Sequence, residues 1–152
     1  MRKLILTFAA FTAIGTATLT PAPNAYAADP IYTSFRNNLA VDGYDVVSFH
    51  MGNPIKGKRK ISANWNGAQW RFATVANKET FLESPEQYAP AYGGYCAWAL
   101  ANNKLAKGSP KYWKIIDGQL YLNFNKKIQT RWEKDTEGFI QKAEEYWPKI
   151  LD

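Results

Sequence analysis

Two dipeptides, Asn66-Gly67 and Asp117-Gly118, restrict the folding of this chain more than any other feature of it. Each can hold two successive residues at positive φ, which is what a two-residue β-hairpin turn requires. Around the first, Ile61-Ser62-Ala63-Asn64-Trp65 and Ala68-Gln69-Trp70-Arg71-Phe72 alternate apolar with polar residues. A two-residue turn pairs Trp65 with Ala68, Ala63 with Trp70 and Ile61 with Phe72. All six then share one face, and Ser62, Asn64, Gln69 and Arg71 share the other. Around the second, Trp113 to Ile116 opposes Gln119 to Phe124. That register gathers Trp113, Ile115, Leu120, Leu122 and Phe124 on one face. Ile116 and Tyr121 fall on the opposite face with Lys114, Gln119 and Asn123, so this face is only partly polar and calls for a cover.

The rest of the chain supplies helices and loops. Ala28 to Leu39 is polar and irregular and is expected to wrap the surface. Asp42-Gly43 reads as a turn, and Tyr44 to His50, rich in β-formers, as a strand. Met51 to Lys60 reads as a loop. Val75 to Glu83 predicts a helix with Phe81 and Leu82 inward. Ser84-Pro85-Glu86 starts a further short turn that ends near Tyr88 and is stopped by Pro90. Tyr95 to Ala101 fits helix or strand, with alanine and leucine favouring helix. Asn125 can cap a helix to about Lys134, and Asp135 or Thr136 can start another. Phe139, Ile140, Ala143 and Trp147 form the apolar stripe of that last helix, which Pro148 ends. No internal repeat stands out beyond the two hairpins. The expected class is α+β: a small antiparallel sheet built from two β-hairpins, with short helices and a C-terminal helix packed against it.

The first residues read as a targeting segment. Arg2 and Lys3 precede an apolar run from Leu4 to Thr20, and Ala25-Tyr26-Ala27 has the small-x-small form of a cleavage site. Cleavage after Ala27 divides the chain into a signal peptide (1–27), an irregular segment (28–40) and a domain with a C-terminal helical extension (41–152). The run is short and is followed by Pro21 and Pro23, so no transmembrane anchor is expected after cleavage, and the location is periplasmic or secreted. Loss of Arg2 and Lys3 takes the 19 basic residues to 17 against 13 acidic ones, a net charge of +4. The one basic cluster, Lys56, Lys58, Arg59 and Lys60, reads as a solvated loop, and export argues against nucleic acid as a partner. A single cysteine excludes an internal disulfide, so the core must come from the aromatic residues, 15% of the chain. Nothing in the sequence sets an oligomeric state.

The candidate chemistry is sparse. Cys96 lies in Tyr92-Gly93-Gly94-Tyr95-Cys96-Ala97-Trp98-Ala99 and has three readings: a buried small hydrophobe, a soft-metal ligand, or a reactive thiol. The third needs a neighbouring base or positive field. His50 is the only histidine and reads as a surface residue. With Cys96 and Met51 it would instead supply a soft-ligand Cu(I) site, copper being the cofactor such donors select. Asp42 and Asp45 could form an acid/base pair, although aspartates in turns usually bond their own backbone, a role that also suits Asp117. The tryptophans and tyrosines serve either the core or a platform for planar ligands, with Tyr95 and Tyr121 the residues to face a groove. No phosphate loop, Ser-His-Asp pattern or zinc spacing is present. Three functions remain: a non-enzymatic envelope module binding a small ligand or metal ion, a thiol enzyme or redox protein using Cys96, and an aromatic-platform binder. The first is favoured.

Five stretches carry a family resemblance: Val41-Asp42-Gly43-Tyr44-Asp45, Trp65 to Ala73, Phe81-Leu82-Glu83-Ser84-Pro85-Glu86-Gln87-Tyr88, Gly93-Gly94-Tyr95-Cys96, and Asp117 to Asn123. In this order they resemble the exported YHS-domain proteins of bacteria, over nearly all of the chain after Ala27. The wider YHS and TRASH-like group implies metal handling, in copper-transporting ATPases and metal sensors. Those members carry Tyr-His-Ser on the first hairpin strand and cysteines after the second strand and in the following helix. Here these positions read Ile61-Ser62-Ala63, Ala73 and Asn77, so the resemblance brings the scaffold without its usual ligands.

Overall fold

Asp45 sets the start of the domain against the expectation from β-propensity. The structure, a computed structural model, describes residues 28–34 and 36–152, so the expected signal peptide at 1–27 lies outside the described residues. The strand expected at Tyr44–His50 is instead a short helix, α1 (Val46–His50). Asp45 occupies its N-cap, and its Oδ1 accepts from the Val47 N–H at 3.0 Å. A cap that satisfies a free helical N–H, with both valines buried, outweighs the weak strand preference of valine.

The two hairpins form as the turn signals demand. β1 (Lys58–Trp65) pairs with β2 (Ala68–Phe72), and β3 (Ser109–Ile116) with β4 (Gln119–Asn123), as two separate two-stranded sheets. Asn66-Gly67 and Asp117-Gly118 all have positive φ. Next to the turns the register is the expected one: Trp65 opposes Ala68, Ala63 opposes Trp70, and Ile115 opposes Leu120. Further out each first strand bulges, so that Phe72 is paired with Lys58 and not with Ile61. Three residues assigned to the basic loop, Lys58 to Lys60, therefore belong to β1.

The helices follow their caps. Thr74 accepts from Asn77 N–H to start α2 (Val75–Glu83), and Pro85 opens α3 (Pro85–Tyr88). α4 (Ala97–Leu100) settles the ambiguous stretch as helix. Asn125 caps α5 (Lys126–Trp132) and Asp135 caps α6 (Thr136–Tyr146) through Ile128 and Gly138 N–H. One inward assignment fails, since Leu82 is 47% exposed while Phe81 is buried. Phe124 lies just beyond β4 and is 44% exposed, unlike Leu120 and Leu122 of its expected face. Among the described residues no helix is long and apolar enough to cross a membrane.

The repetition extends well beyond the hairpins. Each residue of a second half lies 51 positions after its counterpart in the first, as Tyr95 does after Tyr44. Both halves open with three consecutive residues at positive φ, Val41-Asp42-Gly43 and Tyr92-Gly93-Gly94. Gly57 N–H donates to Gly43 C=O at 2.9 Å, and Gly108 N–H to Gly94 C=O at 3.0 Å. Isolated bridges join Tyr44 to Lys56 and Tyr95 to Lys107. The bulges coincide, Lys58/Ser62 in one hairpin and Ser109/Trp113 in the other. Phe81 of α2 and Trp132, the last residue of α5, are equivalent and both fully buried.

The halves share their interior. One core joins Val46, Val47, Phe49, Trp70, Phe72 and Phe81 to Leu120 and Leu122 from the second hairpin. The other gathers Tyr92, Tyr95, Leu100, Tyr121, Trp132 and Ala143. β4 thus presents alternate side chains to two cores, and α4, α5 and α6 cover the face carrying Tyr121 and Ile116. The N-terminal segment is held across the second half. Ala28 N–H donates to Leu151 C=O at 3.2 Å, Tyr32 N–H to Gly93 C=O at 2.9 Å, and Tyr95 Oη to Asp29 C=O at 2.9 Å.

Candidate functional site

The repeat gives Cys96 a counterpart, Asp45, and that comparison shows what holds the thiol. Asp45 is fully buried. Besides capping α1, its carboxylate accepts from Ala73 N–H at 2.8 Å and from Asn77 Nδ2 at 2.7 Å. A buried carboxylate with this many donors is a structural keystone, not half of an acid/base pair. Asp42, its proposed partner, is exposed and serves the positive-φ turn. In the second half Cys96 fills the N-cap position of α4 at 0% exposure, with Sγ 3.8 Å from Asn123 Oδ1. Burial pushes the thiol pKa up, and the N–H groups of Ala99, Phe124 and Trp98 pull it back only in part. Among the described residues no charged or imidazole group contributes to this shift.

The other two nominated ligands lie in different surroundings. Met51 is 67% exposed. His50, at the end of α1, stacks edge-on against Tyr88 with ring centroids 5.1 Å apart. Desolvation lowers its pKa, offset in part by the Tyr88 backbone. Its Nε2 is buried without a partner among the described residues. His50 lines a shallow hollow with Phe49, Gly52, Trp113, Lys114, Ile115 and Glu133, where Lys114 and Glu133 approach to 3.5 Å. Among the described residues no group of three or more His, Cys, Asp or Glu side chains is placed to hold a metal. Of the three nominated ligands, the Cys96 thiol is sealed, the His50 imidazole half-buried and the Met51 thioether solvated.

A larger concavity lies elsewhere, where the N-terminal segment, both hairpin tips and the end of α6 meet. This cleft of about 660 Å³ is within the usual range for small-molecule sites. Its walls include Trp65 and Asn66 from the first turn and their repeat counterparts Ile116 and Asp117 from the second. Tyr92, Tyr121 and Trp147 add a run of rings, with centroids 5.9 Å apart for Tyr92–Tyr121 and 6.0 Å for Tyr92–Trp147. Gln119 is braced by its Nε2 donating to Ala89 C=O at 2.8 Å, so that wall is preset. Tyr92 Oη is tied to Ile140 C=O at 3.4 Å, whereas the Tyr121 hydroxyl has no hydrogen-bond partner among the described residues. Burial raises the pKa of both tyrosines, and nearby Glu144 raises it further.

Of the two tyrosines expected to face a groove, Tyr121 does so, while Tyr95 is spent on holding the N-terminal segment. Sequence reasoning missed Trp147, Tyr92 and Glu144 as site residues. Trp147, the last residue of the helix stripe, is the C-cap of α6 and lines the cleft. Compared with models of protein families, with curated proteins and with solved structures, the chain matches none.

Proposed function

We propose that this protein is an exported, non-enzymatic binding module whose ligand site is the cleft between Trp65, Tyr92, Tyr121 and Trp147. The single observation that carries this reading is the cleft itself, walled by the half-buried Trp65 and Trp147 with Tyr92 and Tyr121 of the second core beneath them. Such a site, apolar with a few fixed polar groups, is what small-molecule recognition uses. The signal-like N-terminus supports export to the periplasm or beyond.

The YHS resemblance is consistent with a binding role but not with the metal chemistry of its metal-handling members. The two positions where those members carry cysteines are Ala73 and Asn77. Here the Ala73 N–H and the Asn77 amide both donate to Asp45, so a carboxylate network fills the space between them. Thiolate and imidazole are the donors soft metals select, and neither is present there. The residues do not fit copper.

The test has two arms. Thermal-shift screening against neutral saccharides, aromatic acids and ammonium compounds should yield a stabilising ligand whose effect is lost in Trp147→Ala and kept in Cys96→Ser. Metal analysis of protein purified from its native compartment should find no stoichiometric metal. A stoichiometric metal lost on substituting Cys96 or His50, or a ligand effect that needs Cys96, would overturn the reading.

A further inference from the structure

We propose that Cys96 is an oxidation site, and that the sulfinate formed there by hydrogen peroxide is the state its surroundings fit. The first argument is the repeat. Cys96 stands where the first half has Asp45, whose buried carboxylate accepts from the Val47 N–H, the Ala73 N–H and the Asn77 amide. The counterparts of Val47 and Ala73 are Trp98 and Phe124. Their N–H groups, with that of Ala99, act on the Cys96 sulfur. The second half thus offers the backbone donors of a carboxylate site to a thiol, which is a weak acceptor. A sulfinate has the form of that carboxylate, with two oxygens and one negative charge on the group beyond Cβ.

The second argument is Asn123, which is fully buried. Its Oδ1 lies 3.8 Å from Cys96 Sγ and accepts from the Trp98 N–H at 3.4 Å. Its Nδ2 is buried without a partner among the described residues. A buried donor left unpaired is costly. Turning the amide about its last torsion places Nδ2 where Oδ1 stands, facing the sulfur. A sulfinate would then accept from Nδ2 and the Trp98 N–H, as Asp45 accepts from Asn77 Nδ2 and the Val47 N–H. The neutral thiol offers Nδ2 no comparable acceptor.

The chemistry is two successive oxygen transfers. The sulfur attacks one peroxide oxygen, an S–O bond forms as the O–O bond breaks, and the sulfur gives up two electrons. Hydroxide leaves and takes up the thiol proton as water. A second peroxide repeats the step on the sulfenic acid, and the resulting sulfinic acid ionises. With one cysteine in the chain, no second thiol diverts the sulfenic acid into an internal disulfide. Folding seals Cys96, so the thiol meets peroxide while the chain is open, and folding then buries the product.

The test uses the chain from Ala28 onward carrying Met51→Leu, because the exposed thioether would otherwise take up oxygen. Hydrogen peroxide is added in urea, both are removed, and peptide mass spectrometry locates two added oxygens on Cys96. The refolded sulfinate should melt about 3–6 °C above the reduced protein. Cys96→Asp should likewise melt above Cys96→Ser. Asn123→Leu, which puts an apolar residue where the first half has Phe72, should at least halve the gain on oxidation. Should that variant fail to fold, the comparison of aspartate with serine still decides. A sulfinate that melts below the reduced protein, a Cys96→Asp variant no more stable than Cys96→Ser, or an undiminished gain in Asn123→Leu would overturn the proposal. Protein recovered from its native compartment after peroxide exposure should carry the sulfinate, and a thiol in every molecule would overturn it too.

Discussion

At the scale of single residues, the repeat separates two side chains that the sequence presents as chemistry. Asp45 and Cys96 hold equivalent positions, and both receive N–H groups from the helix they precede and from the end of the hairpin. Removing the carboxylate strands buried donors, and each such loss costs about 1–3 kcal/mol. The thiol is the milder solution to the same geometric problem, because a neutral sulfur needs fewer partners. Its behaviour with pH follows from burial. The folded-state pKa lies above the usual value of 9.0, so the unfolded chain gives up the proton first. Cys96 therefore takes nothing from stability below that value and erodes it as pH rises through the folded value. We expect alkylation of Cys96 to be undetectable near neutral pH in the folded protein and rapid in denaturant. We also expect Cys96→Ser to reduce the loss of stability at alkaline pH. Fast alkylation of the native protein, followed by mass spectrometry, would show a reactive thiol instead.

At the scale of elements, glycines fix how the pieces meet. A Cβ at Gly93, with φ of +60°, would lie 1.8 Å from Pro30 C=O, while one at Gly118 would meet nothing. Gly118→Ala then costs only the left-handed strain of about 1 kcal/mol, and Gly93→Ala must also displace the N-terminal segment. Hydrogen exchange at the Tyr32 N–H, which donates to Gly93 C=O, should accelerate in Gly93→Ala and stay unchanged in Gly118→Ala. Equal protection in both variants would mean that the segment is not held there. The same contrast explains what was legible beforehand. Asn66-Gly67 and Asp117-Gly118 announce their turns through local φ demands, and Thr74, Asn125 and Asp135 announce helix starts through side-chain caps. The strand misread at Tyr44–His50 turned on a buried cap, and burial is a tertiary fact. Just before the bulged strands, Gly57 packs against Arg71 of the opposite strand and Gly108 against Gly94 of the preceding turn, where a Cβ would lie 2.4 Å from backbone. The cleft was the least legible feature, since its walls come from segments far apart in sequence.

At the scale of the whole molecule, the tandem repeat escapes the sequence because so few counterparts are identical. Gly43 and Gly94, Tyr44 and Tyr95, Lys56 and Lys107, Gly57 and Gly108, Lys60 and Lys111, Gly67 and Gly118, and Glu86 and Glu137 survive, while Asp45 corresponds to Cys96 and Phe81 to Trp132. Backbone demands preserve glycines, whereas a core accepts any apolar side chain that fills its volume. Two repeated units suggest two independent folding units, but the packing argues otherwise. The first core includes Leu120 and Leu122 of β4, with Trp113 and Ile115 of β3 against it. Tyr121, between the two leucines, belongs to the second core. Burying each leucine is worth about 1.5–3 kcal/mol, a large part of the net stability of a domain this size. A fragment of residues 28–89 keeps its own hairpin and α2 yet loses the side chains that close its core. We expect this fragment and its complement, 90–152, each to lack a cooperative thermal transition by circular dichroism. The intact chain should unfold in one step, with fluorescence and circular dichroism coincident. Cooperative melting of 28–89 alone would show that the first repeat is a domain, and the cleft between the hairpin tips would then be an interface between two independent bodies. Coincident loss of both cores would make the cleft part of one rigid frame, as a preset binding site requires.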